Sequence, residues 1–578
     1  MSSTKQLVFL LLFVAFHHSP FPPPPVDSLS TPWRSARHML TEIRRALSTR
    51  NAYDLVEEAE DHAIRRAPTS AESALRRVPA SVPLTAHLLA LVEFAERASY
   101  YGVSGVFANF VQRPLPPGSR TGAPAPGSDT PPGALGMGLR ASATVSALFT
   151  VMAFASPLFG GALADVRWGK FRTIAVGTAV SGAAHVLCIW AAVPSVLSSG
   201  TAFPPFIVSV ILLGGATGLI KANIAPLMGQ QYVHEDYVAT VDGERVIVER
   251  EATVQKIMAA YYLSINVGAF LAVGSTFAEK YVGFWLAYLI PGVIFFLMPP
   301  LLYFVYPYLA PEPAPSPAAL LDAYDILRRA VKGEQSGAEE YELASEDEEN
   351  GHTVEPKGGD VKQALLACKL FLFFAIYNIA DGGLNTIMTS LAGSMTTNGV
   401  PNDFLEKANP IAIVLAIPLL NKLVYPFLDG RNIPHGPVRR IVAGFILAAA
   451  GMVWCALLQY AVYLTSPCGY SATTCEDGVS PLSAWLLLPT PLLTGASEAL
   501  ACVSALELAF TMSPPGLRSI VTSLFLFTQA ISAILILAFL PLMHDPLLVW
   551  PFLLAALLTL LAAAGVWHMF KLLDNERP

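Results

Sequence analysis

Residues 84–111 read LTAHLLALVEFAERASYYGVSGVFANFV, an apolar stretch that carries Glu93, Glu96 and Arg97. It exceeds the ~20 apolar residues a helix needs to cross a bilayer. One ionisable residue at mid-membrane costs ~2.5–3.5 kcal/mol on insertion scales, so three of them require a reason. Positions 93, 96, 97 and 100 follow the i, i+3, i+4, i+7 spacing of a single helix face, which puts both carboxylates, the guanidinium and Tyr100 together. In a water-accessible interior, two acids and one base can pair with each other or with a ligand. Two readings stand: an ion or substrate path, the commoner meaning of intramembrane charge, and a buried ion cluster that only joins helices.

Composition extends the membrane reading to most of the chain. Apolar residues make up 53% of the 578 and charged residues 14%, against ~25% charged in a soluble domain. Mean hydropathy is +0.51. The net charge of −7 says little about partners, because orientation depends on which loops carry Lys and Arg. No basic stripe or zinc-ligand spacing points to nucleic acid or metal. Cys188, Cys368, Cys455 and Cys502 fall in apolar spans and read as small packed hydrophobes. Cys468 and Cys475 fall in a polar loop, SPCGYSATTCEDG. They are expected to form a disulfide, which places that loop on the oxidising face.

About twelve apolar spans follow one another, near 84–111, 139–164, 173–193, 204–225, 258–277, 284–306, 365–391, 409–428, 440–464, 483–512, 519–542 and 548–570. The fold class is thus all-α and integral to the membrane. Basic residues cluster after spans 2, 4, 6 and 8: Arg167, Lys170 and Arg172; Arg245, Arg250 and Lys256; Arg328, Arg329 and Lys332; Arg431, Arg439 and Arg440. The alternate loops carry few, Lys280 and Lys407 among them. The positive-inside rule then puts both termini in the cytosol. The run LVFLLLFVAF, residues 7–16, is short for a span. A cleaved signal there would invert every loop, so the parity favours a non-spanning accessory segment. Residues 1–83 read as a largely disordered cytosolic tail, 84–306 as one six-helix bundle, 307–363 as an acidic cytosolic linker, 364–571 as a second bundle and 572–578 as a tail. The linker's PEPAPSP and EEYELASEDEENG predict disorder, and LLDAYDILRRAV within it a short amphipathic helix. Two six-span halves suit transporters in which one bundle rocks against the other around a midplane site.

Several motifs carry a family resemblance. Glu93 to Gly102, EFAERASYYG, resembles the E-x-x-E-R-F-x-Y-Y-G motif of the proton-dependent oligopeptide transporters. GGALADVRWGKFRTI (160–174), GATGLIKANIAPLMGQQY (215–232) and AYYLSINVGAF (260–270) resemble further signatures of that family, in order. NDFLEKANPIAIVLAIPLLNKLVYPFL and ALELAFTMSPPGLRSIVTSLFLF look like the C-terminal half of its fungal members. The resemblance runs from about Leu84 to the end.

The resemblance implies a major-facilitator fold and proton-coupled import of di- and tripeptides at the plasma membrane, by a monomer that needs no cofactor beyond the proton gradient. Its partners would be small peptides, protons and the lipid bilayer. Carried over residue by residue, it implies that Arg97 and Lys221 face the peptide carboxylate and that Glu498 takes the α-ammonium. Asn266 and Asn409 would hydrogen-bond the peptide backbone, and Tyr100 and Tyr101 would line the pocket. Glu93, Glu96 and Arg97 would form the proton-coupling cluster. The residues argue the same way independently. A short peptide is a zwitterion, so its site needs fixed poles of both signs. Lys221 sits alone in FIVSVILLGGATGLIKANIAPLM, and Glu498 is enclosed in LLTGASEALACV. A lone lysine there is costly unless paired; the competing reading is snorkelling to the interface.

Three departures matter. Ala98 replaces the motif's Phe, and Phe154 stands where members carry a pocket Tyr. In IYNIADGGLN, Gly382 replaces the proton-linked Glu of bacterial members. The neighbouring Asp381 is then either a relocated proton carrier or a residue at a Gly-rich kink. Two alternatives remain: the same fold carrying nitrate or another small solute, and a transport-dead nutrient receptor. An enzyme is not expected, because no nucleophile–base pair, metal spacing or phosphate loop occurs in a solvated segment of domain size.

Overall fold

Inside hydrocarbon every backbone N–H and C=O must be satisfied within its own segment, so the apolar runs become helices. The computed structural model describes residues 75–241, 244–312, 369–475, 477–511 and 518–574. The apolar run 7–16, the tail up to residue 74, LLDAYDILRRAV with nearly all of the acidic linker, Cys368 and residues 575–578 lie outside the described residues.

Twelve long helices run through the described residues. The first group comprises α1 (Leu84–Ser104), α2 (Gly138–Trp168), α3 (Lys170–Ala191), α4 (Phe203–Gly229), α5 (Arg250–Tyr281) and α6 (Phe284–Tyr308). The second comprises α7 (Lys369–Ala392), α8 (Leu405–Asp429), α9 (Pro437–Thr465), α10 (Ala484–Leu508), α11 (Arg518–Leu537) and α12 (Val549–Phe570). All but α1 and α11 are long and apolar enough to cross a membrane. α1 has the length but holds the three charges, and the apolar stretch of α11 is Ser523–Leu537.

Several boundaries differ from the apolar pattern. The first span is two helices, because α1 ends at Ser104 and a short helix, Phe107–Gln112, follows. α5 is longer than its apolar run at both ends: Arg250, Lys256 and Lys280, read as loop charges, are helical. α7 breaks at Asp381 (φ −94°, ψ 77°) and Gly382 (φ 92°), a positive φ that only glycine adopts without strain.

Each group packs on its own core. α4 packs on α2 and α3, and α6 on α1 and α3, around Phe107, Phe110, Phe206, Phe284 and Tyr288. α9 packs on α10 and α12, and α8 on α10, around Phe374, Tyr377, Phe445 and Phe552. Between groups, α2 packs on α11 and on the second part of α7. Small residues allow close approach where lipid supplies no hydrophobic drive. A side chain on Gly495 would come within 2.8 Å of the Asn409 carbonyl, and one on Gly444 within 2.8 Å of the Ser497 carbonyl. Those two glycines seat α10, which carries Glu498, between α8 and α9.

Residues 75–80 and 234–252 belong to a separate small unit. β1 (Arg77–Val78) runs parallel to β3 (Glu244–Val248), and β2 (Tyr237–Val241) pairs antiparallel with β3. Arg76 pairs with Glu244 at 3.0 Å, and Arg77 with Glu249. In the main unit, β4 (Met395–Thr396) pairs with β5 (Ser480–Ser483). The Cys468–Cys475 disulfide, with Cα atoms 5.6 Å apart, precedes β5 in the chain.

Candidate functional site

The helical face predicted for α1 forms. Arg97 Nε lies 3.2 Å from Glu93 Oε1, one turn back, and the guanidinium also pairs with Glu96. Its carbon stands 5.0 Å from the centre of the Tyr100 ring, within cation–π range. Glu93, Glu96 and Arg97 are sealed from solvent, at 0%, 2% and 2% exposure. The seal is built by a glycine: a side chain on Gly268 of α5 would stand 2.8 Å from the Phe94 carbonyl and 2.9 Å from Arg97 Cβ. Two acids against one guanidinium leave an uncompensated negative charge when all are ionised. Such a cluster is a place to hold a proton.

Lys221 comes to this cluster from α4. It is within electrostatic reach of Glu93, Glu96 and Arg97, yet forms no ion pair among the described residues. Its ammonium rests on the Phe154 ring, 3.7 Å from the centroid. The residue that replaces a pocket Tyr thus meets the amine with its face instead of a hydroxyl. Unlike the sealed cluster, Lys221, Phe154 and Tyr101 are half-buried. The snorkelling reading is not what the geometry gives, since the amine points at α2 and α1.

Glu498 is half-buried on α10 and meets no hydrogen-bond donor among the described residues. It is within electrostatic reach of Tyr101 and Tyr262 in the first group. Asp381 is within reach of it in the second group. A pole of each sign is therefore offered from opposite groups, Lys221 from the first and Glu498 from the second, and neither is neutralised by an ion pair. Asp381 lies at the α7 break, where the helix gives up backbone hydrogen bonds. The two amides are less available. Asn409 donates to Thr494 Oγ1 at 3.1 Å, tying α8 to α10. Asn266 donates to the Tyr262 carbonyl one turn back, at 2.8 Å. Their carbonyl oxygens remain as acceptors.

Some residues of this interior were not singled out from sequence. Tyr261 of α5 faces Glu93, inside the AYYLSINVGAF stretch already noted. Tyr377 exchanges a hydrogen bond with Ser497 at 2.8 Å, and Asn378 donates to Thr528 at 3.0 Å, pinning the first part of α7 beside Glu498. No single-sequence signal marks those as partners.

A second constellation was also missed. At the end of the bundle that carries the disulfide, polar side chains lock the groups together. Asn109 donates to Glu279 at 2.7 Å, and Asn109 and Asn402 exchange amide hydrogen bonds at 2.9 Å. Gln112 donates to Ser390 at 2.7 Å. Lys280 donates to Thr397 at 2.9 Å and to the Val400 carbonyl at 3.0 Å. Asp129 accepts from the Thr397 and Asn398 backbone at 3.0 and 3.1 Å. Lys280 was counted in the sequence as a loop charge; it is 5% exposed and spans the two groups.

Comparison with known proteins fits this geometry. The POT family profile matches residues 171–307 and 335–551. The MFS-type transporter ucsM of an Acremonium species is 43% identical over 504 residues, covering 84% of this chain and 83% of that protein. The peptide transporter PTR2 of Candida albicans is 37% identical over 540 residues, covering 88% and 86%. The crystal structure of the POT family transporter PepTSo superposes with a TM-score of 0.64 over 86% of this chain and all of that one. At 18% identity that likeness shows the fold alone, the major-facilitator arrangement. Matched by the family profile over more than half its length, and akin to the Candida protein along most of it, the chain belongs to the POT family.

Proposed function

We propose that this protein is a proton-coupled symporter that imports di- and tripeptides by alternating access. The observation that carries the reading is the pair of unneutralised poles, Lys221 in one six-helix group and Glu498 in the other, beside the sealed Glu93–Glu96–Arg97 cluster. A bound zwitterion bridges these poles. Its carboxylate goes to Lys221 and Arg97 and its ammonium to Glu498, with Tyr100 and Tyr101 lining the pocket and Asn266 and Asn409 accepting from its backbone. Bridging draws the two groups together, so binding energy drives the rocking of one bundle against the other. The name of the Candida relative, a peptide transporter, supports the cargo.

The proton has a place in this scheme. With Arg97 held between two carboxylates, a proton entering the cluster neutralises one acid and frees part of the guanidinium for the peptide carboxylate. Asp381, within reach of Glu498 at the α7 break, serves as a second carrier. The driving force is the proton gradient, with no cofactor. The unit is a monomer in the plasma membrane, both termini cytosolic, with the disulfide loop outside. The polar interlock then closes the outer face.

Uptake of a labelled dipeptide into cells or vesicles, with and without an inward proton gradient, tests the proposal. Accumulation above equilibrium only with the gradient supports it. Uptake of nitrate in place of peptide, or no transport by surface-expressed protein, overturns it.

A further inference from the structure

We infer that the closed outer gate contains a proton-binding site of its own, made by Glu279 of one six-helix group and Asp403 of the other. The inference rests on the transport reading above for which face is outer.

Both residues are fully buried, at 0% exposure, and they are within electrostatic reach of each other. One oxygen of Glu279 accepts from Asn109 at 2.7 Å. Its other oxygen and both oxygens of Asp403 receive no hydrogen bond. Neither carboxyl forms an ion pair among the described residues. Lys280 and Lys407 pull on both carboxyls from a distance, but neither reaches ion-pair contact with them. Lys280 directs two of its three donors to Thr397 and Val400 rather than to a carboxylate. Lys407 lies against Gly105 at the end of α1. Glu406 accepts the Thr389 hydroxyl at 2.6 Å, and Asp129 is satisfied by Thr397 and Asn398. Two carboxylates are thus sealed together with three of four oxygens unpartnered.

Burying an unpaired ion is costly even after relaxation, and two like charges in one site raise that cost. Burial pushes the Asp403 carboxyl up to about 7, against the pull of Lys407. When the gate opens, Glu279 and Asp403 part with their groups, meet water and ionise fully. The closed gate therefore holds one proton more than the open gate, taken from outside water onto the carboxyl pair. The sign follows by linkage: the state that binds more protons gains as pH falls, by up to tenfold in the closed-to-open ratio per pH unit for one proton. External acid then does two things in this protein. It loads the cluster on α1, and it shuts the door behind the cargo.

The test uses the full chain in lipid nanodiscs with spin labels on Arg120→Cys and Ser471→Cys, exposed positions of the outer loops in the two groups. Cys188, Cys368, Cys455 and Cys502 are replaced by serine. Pulsed electron resonance reads the distance between labels at pH 8 and pH 6. The short-distance share is expected to rise severalfold on acidification. Asp403→Asn or Glu279→Gln removes one of the two charges with little change of shape, so each should hold the short-distance share equal at both pH values. Glu406→Gln should keep the response. A pH-independent distance in the unmutated pair, or a full response surviving in both Asp403→Asn and Glu279→Gln, overturns the inference. Dipeptide uptake measured on the same proteins separates the claims: a pH-responsive gate in a protein that carries no peptide keeps the gate site and rejects the peptide reading.

Discussion

Glu312 and Asp574 hold matching positions in the two halves of the chain. Each follows the last helix of its group, and each caps the third helix of that group. Glu312 accepts from the backbone N–H groups of Lys170 and Phe171 at 2.7 and 3.0 Å, at the start of α3. Asp574 accepts from those of Val438 and Arg439 at 2.9 and 3.1 Å, at the start of α9. A carboxylate there satisfies orphan donors and opposes the positive end of the helix dipole. Replacement by alanine is expected to cost about 1 kcal/mol at each site. The losses should add, since the caps share no partner. Thermal unfolding of Glu312→Ala, Asp574→Ala and the double variant in detergent checks this. An unchanged melting temperature in both single variants would show the caps to be incidental.

The cap symmetry is invisible in sequence, and the reason marks what sequence shows. Helices are dictated by apolar runs because lipid leaves the backbone no other partner, so twelve spans were legible. The i, i+3, i+4 face of α1 was legible for the same reason, since its spacing is local. Contacts between distant helices were not. Lys280 reads as a loop charge until α5 is seen to continue through it into the second group. Phe154 reads as a lost hydroxyl until the Lys221 ammonium is seen on its ring. Asn409 reads as a hydrogen-bonding partner for the peptide backbone, although an N–H of its amide is directed to Thr494. The strands β2 and β3 did leave a local signal, the Val- and Ile-rich runs YVATV and ERVIV on either side of an Asp-Gly dipeptide, which the count of loop charges hid.

The Phe154 face should hold Lys221 ready. A cation–π contact contributes about 0.5–2 kcal/mol, or roughly two- to thirtyfold in affinity if the amine strays without it. Phe154→Leu is expected to raise the KM for dipeptides within that range, and Phe154→Tyr, which keeps the ring, to leave it near normal. Lys221→Gln should impair uptake strongly at normal surface expression. Adding Phe154→Leu to it should then change nothing further. An effect of Phe154→Leu that persists in the Lys221→Gln background would detach the ring from the lysine.

The disulfide offers a test of the proposed topology. Intact cells expressing the protein are treated with an impermeant maleimide. Cys468 and Cys475 should react only after reduction, and without permeabilisation. Labelling that requires permeabilised cells would turn the molecule over in the membrane and reassign the interlock to the inner face.

Proton coupling should run through Glu96. Glu96→Gln keeps the shape of the Arg97 partner but removes the charge that a proton would neutralise. Uphill accumulation of dipeptide should be lost while downhill exchange of labelled for unlabelled peptide continues. Gradient-driven accumulation at the unmutated level in that variant would remove Glu96 from the proton path.

Glu498 decides whether the cargo is a zwitterion. It is the acid in the interior of the second group that faces Tyr101 and Tyr262 across the groups, and it has no ion pair among the described residues. A nitrate carrier has no use for such a group, because an unpaired carboxylate would repel its cargo. A peptide carrier needs it, because a charge-assisted hydrogen bond to the α-ammonium contributes ~1.5–3 kcal/mol, or roughly ten- to a hundredfold in affinity. N-acetylated dipeptides, which lack the ammonium, should therefore compete for uptake that much more weakly than free ones. Glu498→Gln should bring the two classes close together, chiefly by weakening the free dipeptide. Competition curves for both compounds in both proteins give the answer. Equal competition by acetylated and free dipeptide in the unmutated protein would mean that Glu498 does not read an ammonium, and that the two poles serve another solute.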